Sequence, residues 1–230
     1  MKYRVVLVEP KYEGNVGSVA RVMKNFGFTD LVLINPPELG DLSRAMASHA
    51  TDILDNYKIA RSWEEAIATS DLTVGATGIA GTSNDEHVRM PFYTPAELKE
   101  KLNERGGVIS LVFGREDIGL SNEELKKCDM IVNIPTSEEY PVMNLSHAAA
   151  VILYELRDVP RGKIKLAKHD DLERLYEHWR SVLEQINYPK HKRDKTLLML
   201  RRILGRAMLT GREVQTLRGI LRKSEWRIRK

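Results

Sequence analysis

Three short segments hold the side chains best suited to chemistry: Asn15-Val16-Gly17-Ser18-Val19-Ala20-Arg21, Gly114-Arg115-Glu116-Asp117-Ile118-Gly119-Leu120-Ser121, and Met143-Asn144-Leu145-Ser146-His147-Ala148. Gly114 and Gly119 allow backbone to approach a ligand, and Ser121 stands where it caps a following helix. Asn144 and Ser146 put polar groups on the first turn of a helix, with small residues behind them against which another backbone can press. Taken singly, each segment also has a plain structural explanation: a strand-to-helix turn, an N-cap, and at Arg21 a solvated helix arginine. The stretch 75–81, Gly-Ala-Thr-Gly-Ile-Ala-Gly, ends a strand and raises a dinucleotide-binding loop as a competing reading. Against it, Thr82-Ser83-Asn84-Asp85-Glu86 makes a polar loop where that fold needs a helix carrying the pyrophosphate. His49 and His147 sit among alanines and read as hydrogen-bonded packing histidines with no chemical role. Cys128, the single cysteine, excludes an intramolecular disulfide and a cysteine zinc cluster within one chain, and its context suggests a packed, inert thiol.

The elements that must position these residues are written as apolar runs at 5–8, 31–34, 72–75, 108–113 and 130–134, short and rich in Val, Ile and Leu. Separated by helical patterns, they predict an α/β domain whose parallel sheet is covered on both faces. Ser62…Glu65, Thr94…Glu97 with Pro95 at the first helical position, and Ser121…Glu124 spell capping boxes. Between residues 157 and 168 the pattern stops, with Pro160, Gly162 and alternating lysines, which predicts a linker. Beyond it Leu172, Leu175, Trp179, Leu183 and Ile186 recur at helical spacing, as do Leu197, Leu200, Leu204 and Ala207, then Val214, Leu217 and Leu221. Pro189 parts the first helix from the second, and Thr210…Glu213 opens the third. The expected organisation is a first domain over 1–158, a linker over 159–169 and a small all-helical domain over 170–230.

The 42% hydrophobic and 30% charged content suits a soluble globular protein. No run approaches a membrane span and the start of the chain lacks a signal-peptide pattern, so a cytoplasmic location is expected. Charge is unevenly shared. Residues 1–160 hold 16 basic and 24 acidic side chains, a net −8, whereas residues 161–230 hold 20 and 8, a net +12. A basic appendage attracts phosphate backbones, although an acidic protein, an anionic membrane or the chain's own acidic half would suit it too. Arg201, Arg202, Arg206, Arg212, Arg218, Arg222 and Lys223 are candidates for a phosphate track, with a solvated helix face as the alternative. Trp179 reads as core, while Trp226 in the basic tail is open to base stacking.

In this order the three segments closely resemble the three motifs of the SpoU branch of the SPOUT RNA methyltransferases, over most of the first 158 residues. The resemblance implies a parallel sheet with a deep trefoil knot that holds S-adenosylmethionine; chain-pattern rules alone would not foresee a knot. It implies cofactor contacts from Thr77, Gly78, Ile79, Gly114, Glu116, Gly119, Ile134, Met143, Asn144 and Leu145. It casts Arg21, Asn15, Glu116, Asn144 and Ser146 as the catalytic set acting on a ribose 2′-hydroxyl, with no metal. It also implies a homodimer whose sites combine the first segment of one subunit with the knot of the other. The opening Val-Leu-Val-Glu-Pro-Lys-Tyr-Glu-Gly-Asn-Val-Gly-Ser-Val-Ala-Arg, joined to a helical C-terminal extension, is most similar to members methylating tRNA at position thirty-two of the anticodon loop. Ribosomal RNA as substrate, or a catalytically silent RNA-binding dimer of the same fold, are the alternatives; no DNA partner is expected.

Overall fold

Apolar runs without polar alternation need cover on both faces, and the computed structural model, which describes residues 1–79, 88–160 and 162–228, supplies it. The first half alternates β1 (Lys2–Val8), α1 (Glu13–Asn25), β2 (Asp30–Ile34), α2 (Asp41–Ala47), α3 (Thr51–Asp55), β3 (Lys58–Ala60), α4 (Trp63–Ile67) and β4 (Leu72–Thr77). There follow β5 (Phe92–Tyr93), α5 (Pro95–Leu102), β6 (Arg105–Gly106), β7 (Val108–Phe113), α6 (Asn122–Lys127), β8 (Met130–Asn133) and α7 (Leu145–Leu156). The chain ends with β9 (Ile164–Lys165), α8 (His169–Gln185), α9 (Lys190–Ala207) and α10 (Gly211–Ile228).

Seven strands form one sheet in the order β3-β2-β1-β7-β4-β8-β5, and every pairing in it is parallel. Val5 stands beside Leu31 on one side and Leu111 on the other, which in turn faces Val74. Val5, Leu7, Leu31 and Leu33 feed the core beneath α1 and α7, whereas Val6, Val8, Val32 and Ile34 feed a second core with Trp63 and Leu125. All five sequence-predicted runs are strands of this sheet. The Thr94–Glu97 and Ser121–Glu124 capping boxes form with both reciprocal bonds, and Glu213 accepts from the Thr210 backbone N–H while Thr210 accepts from Glu213 N–H. Ser62 forms half of one: its hydroxyl accepts from Glu65 N–H, but the Glu65 carboxylate takes the Arg61 amide instead of returning to Ser62.

Three helices follow, packed around Leu172, Leu175, Tyr176, Val182, Val214 and Leu221. The segment 159–169 contains β9, which pairs with β6 in a separate two-stranded sheet, and Leu166, which is buried in the main core. The buried face of α9 differs from the sequence expectation. Leu198, Arg202 and Gly205 are buried, while Leu197, Leu200 and Leu204 are half-buried and Ala207 is exposed. The reason is an arginine used as a core residue. Arg202, 1% exposed, donates to the Leu125 and Val88 carbonyls, each at 2.8 Å, and to that of Cys128. Three carbonyls offset the desolvation of the guanidinium. Its neighbour Arg201 forks onto Glu173 at 2.7 and 2.8 Å and faces buried Asp129 at 3.5 Å. Both arginines therefore leave the expected phosphate track. Residues 80 and 81 and the polar loop 82–86 lie outside the described residues.

Candidate active site

Because the seven strands run in one direction, β1, β7, β4 and β8 end on one edge of the sheet, where α/β domains hold ligands. The loops leaving them enclose a cavity of about 330 Å³. Thr77, Gly78 and Ile79 line it after β4; Gly114, Glu116 and Gly119 after β7; Ile134 after β8; and Met143 and Leu145 where α7 begins. Of the residues expected at the cofactor, Asn144 alone stands outside this lining, exposed beside it. Gly78 lies against Val142, so the loop after β4 touches the loop ahead of α7.

Gly114 is there because nothing larger fits. A Cβ on it would come within 2.1 Å of the Gly119 carbonyl carbon, and the loop is tied by reciprocal bonds between the Arg115 and Gly119 backbones at 3.2 and 2.9 Å. Gly119 takes φ 66°, which costs glycine little. Arg115 braces this loop, with Nε on Glu9 at 2.8 Å and its two terminal nitrogens on Glu124 at 3.0 and 3.1 Å. Burial pushes the Glu124 carboxyl up, but the Arg115 bond and the Ser121 amide outweigh it and leave it below the usual range.

The three segments meet through side chains. The N-cap of α1, Tyr12, makes no side-chain cap of its own. Glu116 supplies one from the loop after β7, accepting from the Lys11 amide at 2.8 Å and the Tyr12 amide at 3.3 Å, a carboxylate at the positive end of the helix. The same carboxylate accepts from Asn15 Nδ2 at 2.8 Å. Asn15 Oδ1 accepts from Asn144 Nδ2 at 3.2 Å, and Asn144 Oδ1 caps α7 by accepting from the Ser146 amide and hydroxyl, each at 2.8 Å. Glu116, Asn15, Asn144 and Ser146 thus form one hydrogen-bonded line within a single chain, beside the cavity.

Arg21 is not brought there. It lies six residues beyond Asn15, about 9 Å along α1 and about a third of a turn around it, exposed and outside the cavity lining. His49 and His147 are exposed, contrary to the packed role expected of them, because Ala50, next to the first, and Ala149, two residues beyond the second, carry the buried faces. Cys128 is fully buried and burial raises its thiol to about 12, as an inert packing residue. Sequence reasoning missed Arg89, which lines the cavity and donates to Thr77 Oγ1 at 2.9 Å and to Asn122 Oδ1 at 3.3 Å. A lone arginine after a polar stretch carried no spacing signal that could have found it.

The SpoU rRNA Methylase family matches residues 2–154, and the family described as tRNA methyltransferase TrmJ, C-terminal domain, matches residues 170–230. The tRNA (cytidine-2′-O-)-methyltransferase TrmJ of Methanocaldococcus jannaschii is 42% identical over 221 residues, covering 93% of this chain and 95% of that one. The tRNA (cytidine/uridine/adenosine-2′-O-)-methyltransferase TrmJ of Pseudomonas aeruginosa is 36% identical over 248 residues, covering 97% and 94%. The crystal structure of TrmJ from Z. mobilis ZM4 superposes with a TM-score of 0.79 at 25% identity, covering 98% of this chain and 100% of that one.

Proposed function

The chain belongs to the SpoU methylase family and ends in a TrmJ-type C-terminal domain, and from that premise we propose that it is an S-adenosylmethionine-dependent tRNA 2′-O-methyltransferase acting on nucleotide thirty-two of the anticodon loop. The reading is carried above all by the line from Glu116 through Asn15 and Asn144 to Ser146, which joins three separate segments at the mouth of a ligand-sized cavity. It includes a deep trefoil knot formed by the loops after β7 and β8, a methyltransferase domain over 1–158, a connecting segment over 159–169, an RNA-binding domain over 170–230, a homodimeric assembly and a cytoplasmic location.

The cavity suits the cofactor. Its wall joins the tight turn at Gly114, where a Cβ has no room, to apolar side chains such as Leu145 and Ile134 that suit an adenine and to Glu116, whose negative charge favours a cationic donor. Thr77, Gly78, Ile79, Gly114, Glu116, Gly119, Ile134, Met143 and Leu145 would hold it, with Asn144 alongside. When bound, S-adenosylmethionine supplies a methyl group already activated on a sulfonium. The chain then has to align a ribose oxygen and ease the departure of its proton. Arg21 cannot accept that proton, because a guanidinium stays charged. Its role is to hold the phosphate next to the target ribose and lower the cost of the developing alkoxide. Asn15, fixed between Glu116 and Asn144, presents its amide in one orientation, and Ser146 fixes Asn144 in turn. Since Arg21 stands away from the cavity of its own chain, the reading places it in the site of a second copy.

The test is transfer of a tritiated methyl group to separate tRNA and ribosomal RNA pools, with mapping of the modified nucleotide and calorimetry with S-adenosylmethionine. Label at nucleotide thirty-two of tRNA and a binding heat are expected. Label confined to ribosomal RNA would move the substrate, and no binding heat would overturn the enzymatic reading.

A further inference from the structure

Gln215, Arg218, Arg222 and Trp226 recur at helical spacing along one face of α10, and the surface there is hollowed. A concavity of about 160 Å³ lies beside His178, Gln215 and Arg218, another of about 350 Å³ beside Lys223 and Trp226, and Arg222 borders both. Neither Arg218 nor Arg222 forms an ion pair among the described residues, and the Arg218 Nε is buried without a hydrogen-bond partner. Glu225, a carboxylate on the same helix, is taken up by His178, Ser181 and Gln185. Trp226 is 47% exposed, with the Lys223 ammonium 4.3 Å from its ring centroid.

Gly219 lines the larger hollow with Arg222, Lys223 and Trp226. Glycine in a helix interior is destabilising relative to alanine, so a buried contact usually explains it. Here a Cβ would meet nothing within 4 Å. Packing within the chain does not call for glycine, and its effect is to leave the helix surface bare between two unpaired guanidinium groups and an exposed indole.

We propose that this face of α10 is a nucleotide-binding site for the RNA substrate, seating a backbone phosphate against Arg218 and Arg222 at Gly219 and stacking the adjoining base on Trp226. The inference rests on the RNA-modifying function proposed above and adds the place where that RNA is gripped away from the reacting ribose. Arg222 and Trp226 are separated by about 6 Å of helix rise, a gap that one nucleotide bridges. Aromatic stacking tolerates any base, and guanidinium groups suit phosphate. The net +12 of residues 161–230 supplies the long-range attraction.

The test uses the full chain, labelled tRNA and a salt series. R222Q and R218Q each flatten the slope of log affinity against log salt by about 0.7 to 0.9. W226A weakens binding by about fivefold or more with little change of slope. G219Q fills the cleft, weakens tRNA binding and raises the thermal midpoint, because glutamine favours helix. In methyl transfer, R222Q and W226A raise KM for tRNA more than they lower kcat, and the S-adenosylmethionine binding heat is retained. R222Q and W226A alter exposed positions, so they report even if R218Q fails to fold. Unchanged tRNA affinity and salt slope in R222Q, W226A and G219Q would overturn the site. So would variants that lose poly-glutamate binding while keeping tRNA binding, which would assign the face to an acidic protein. If the unaltered protein methylates tRNA and the variants keep its KM, the site falls and the enzymatic reading stands. If the variants lose tRNA affinity but no RNA is methylated, the site stands and the enzymatic reading falls.

Discussion

Replacing Arg202 by alanine removes a cation that a C-terminal helix inserts beneath the methyltransferase half. Of its three acceptors among the described residues, the Leu125 carbonyl keeps a second donor, the Cys128 amide at 3.1 Å. The Cys128 and Val88 carbonyls lose the guanidinium and have no other hydrogen bond among the described residues. One buried and one half-buried acceptor at about 1–3 kcal/mol each, together with the lost packing of a side chain 1% exposed, put the cost at about 4 kcal/mol. For a chain of this length that is a fall of about 10 °C in Tm. Arg202→Met keeps much of the volume but none of the donors, and should fall nearly as far. Arg202→Lys can reach one carbonyl and should lie between. Differential scanning calorimetry and urea unfolding of the full chain measure the series. A Tm for the alanine variant within about 2 °C of the parent, or a methionine variant as stable as the parent, would refute the assignment of Arg202 as a carbonyl clamp.

Gly114→Ala forces a methyl group into the Gly119 backbone, so calorimetry should find S-adenosylmethionine binding lost and unfolding should show a cost of about 1–3 kcal/mol; binding at parental affinity would contradict the tight loop. Burial pushes the Asp30 carboxyl up, but the charge and hydrogen bonds of Arg4, with Lys2 and Lys58, outweigh it and hold it below its ordinary value. Its stabilisation is therefore present above the unfolded pKa of about 3.9 and lost as pH falls through the lower folded value. Asp30→Asn should cost about 3 kcal/mol at pH near 7 and lose less stability than the parent on acidification, as urea unfolding at both ends of that range would show; equal acid sensitivity would count against the pairing. Arg21→Ala should lower methyl transfer by about 100-fold or more while S-adenosylmethionine binds as before, and parallel loss of both would give Arg21 a structural role instead.

What local spacing encodes, the sequence showed. The runs at 5–8 and 108–113 became neighbouring buried strands, and Thr94, Ser121 and Thr210 cap helices where their glutamates foretold it. The glycine loop at 114–119 carried its own geometric reason. What depends on partners far along the chain was hidden. Glu116 caps a helix about a hundred residues before it, and nothing near Tyr12 announces that a carboxylate will arrive there. The sequence offers Arg202 a phosphate track or a solvated helix face because a charged residue reads as exposed unless its acceptors are known, and those acceptors lie in α6, ahead of β8 and ahead of β5. The histidines beside alanines misled for the converse reason: a small neighbour turns inward and leaves the larger ring outside.

The pairing of β6 with β9, and the burial of Leu166 in the main core, have a consequence for synthesis. Roughly sixty residues separate the two strands, so at about 5–20 residues per second the ribosome leaves Arg105 and Gly106 without their partner for about 3–12 s. The donors of Arg202 emerge later still. A truncated product would therefore lack the strand that pairs with β6, the core contact of Leu166 and the guanidinium that meets three carbonyls, so the first part of the chain completes its packing only when the tail has been made.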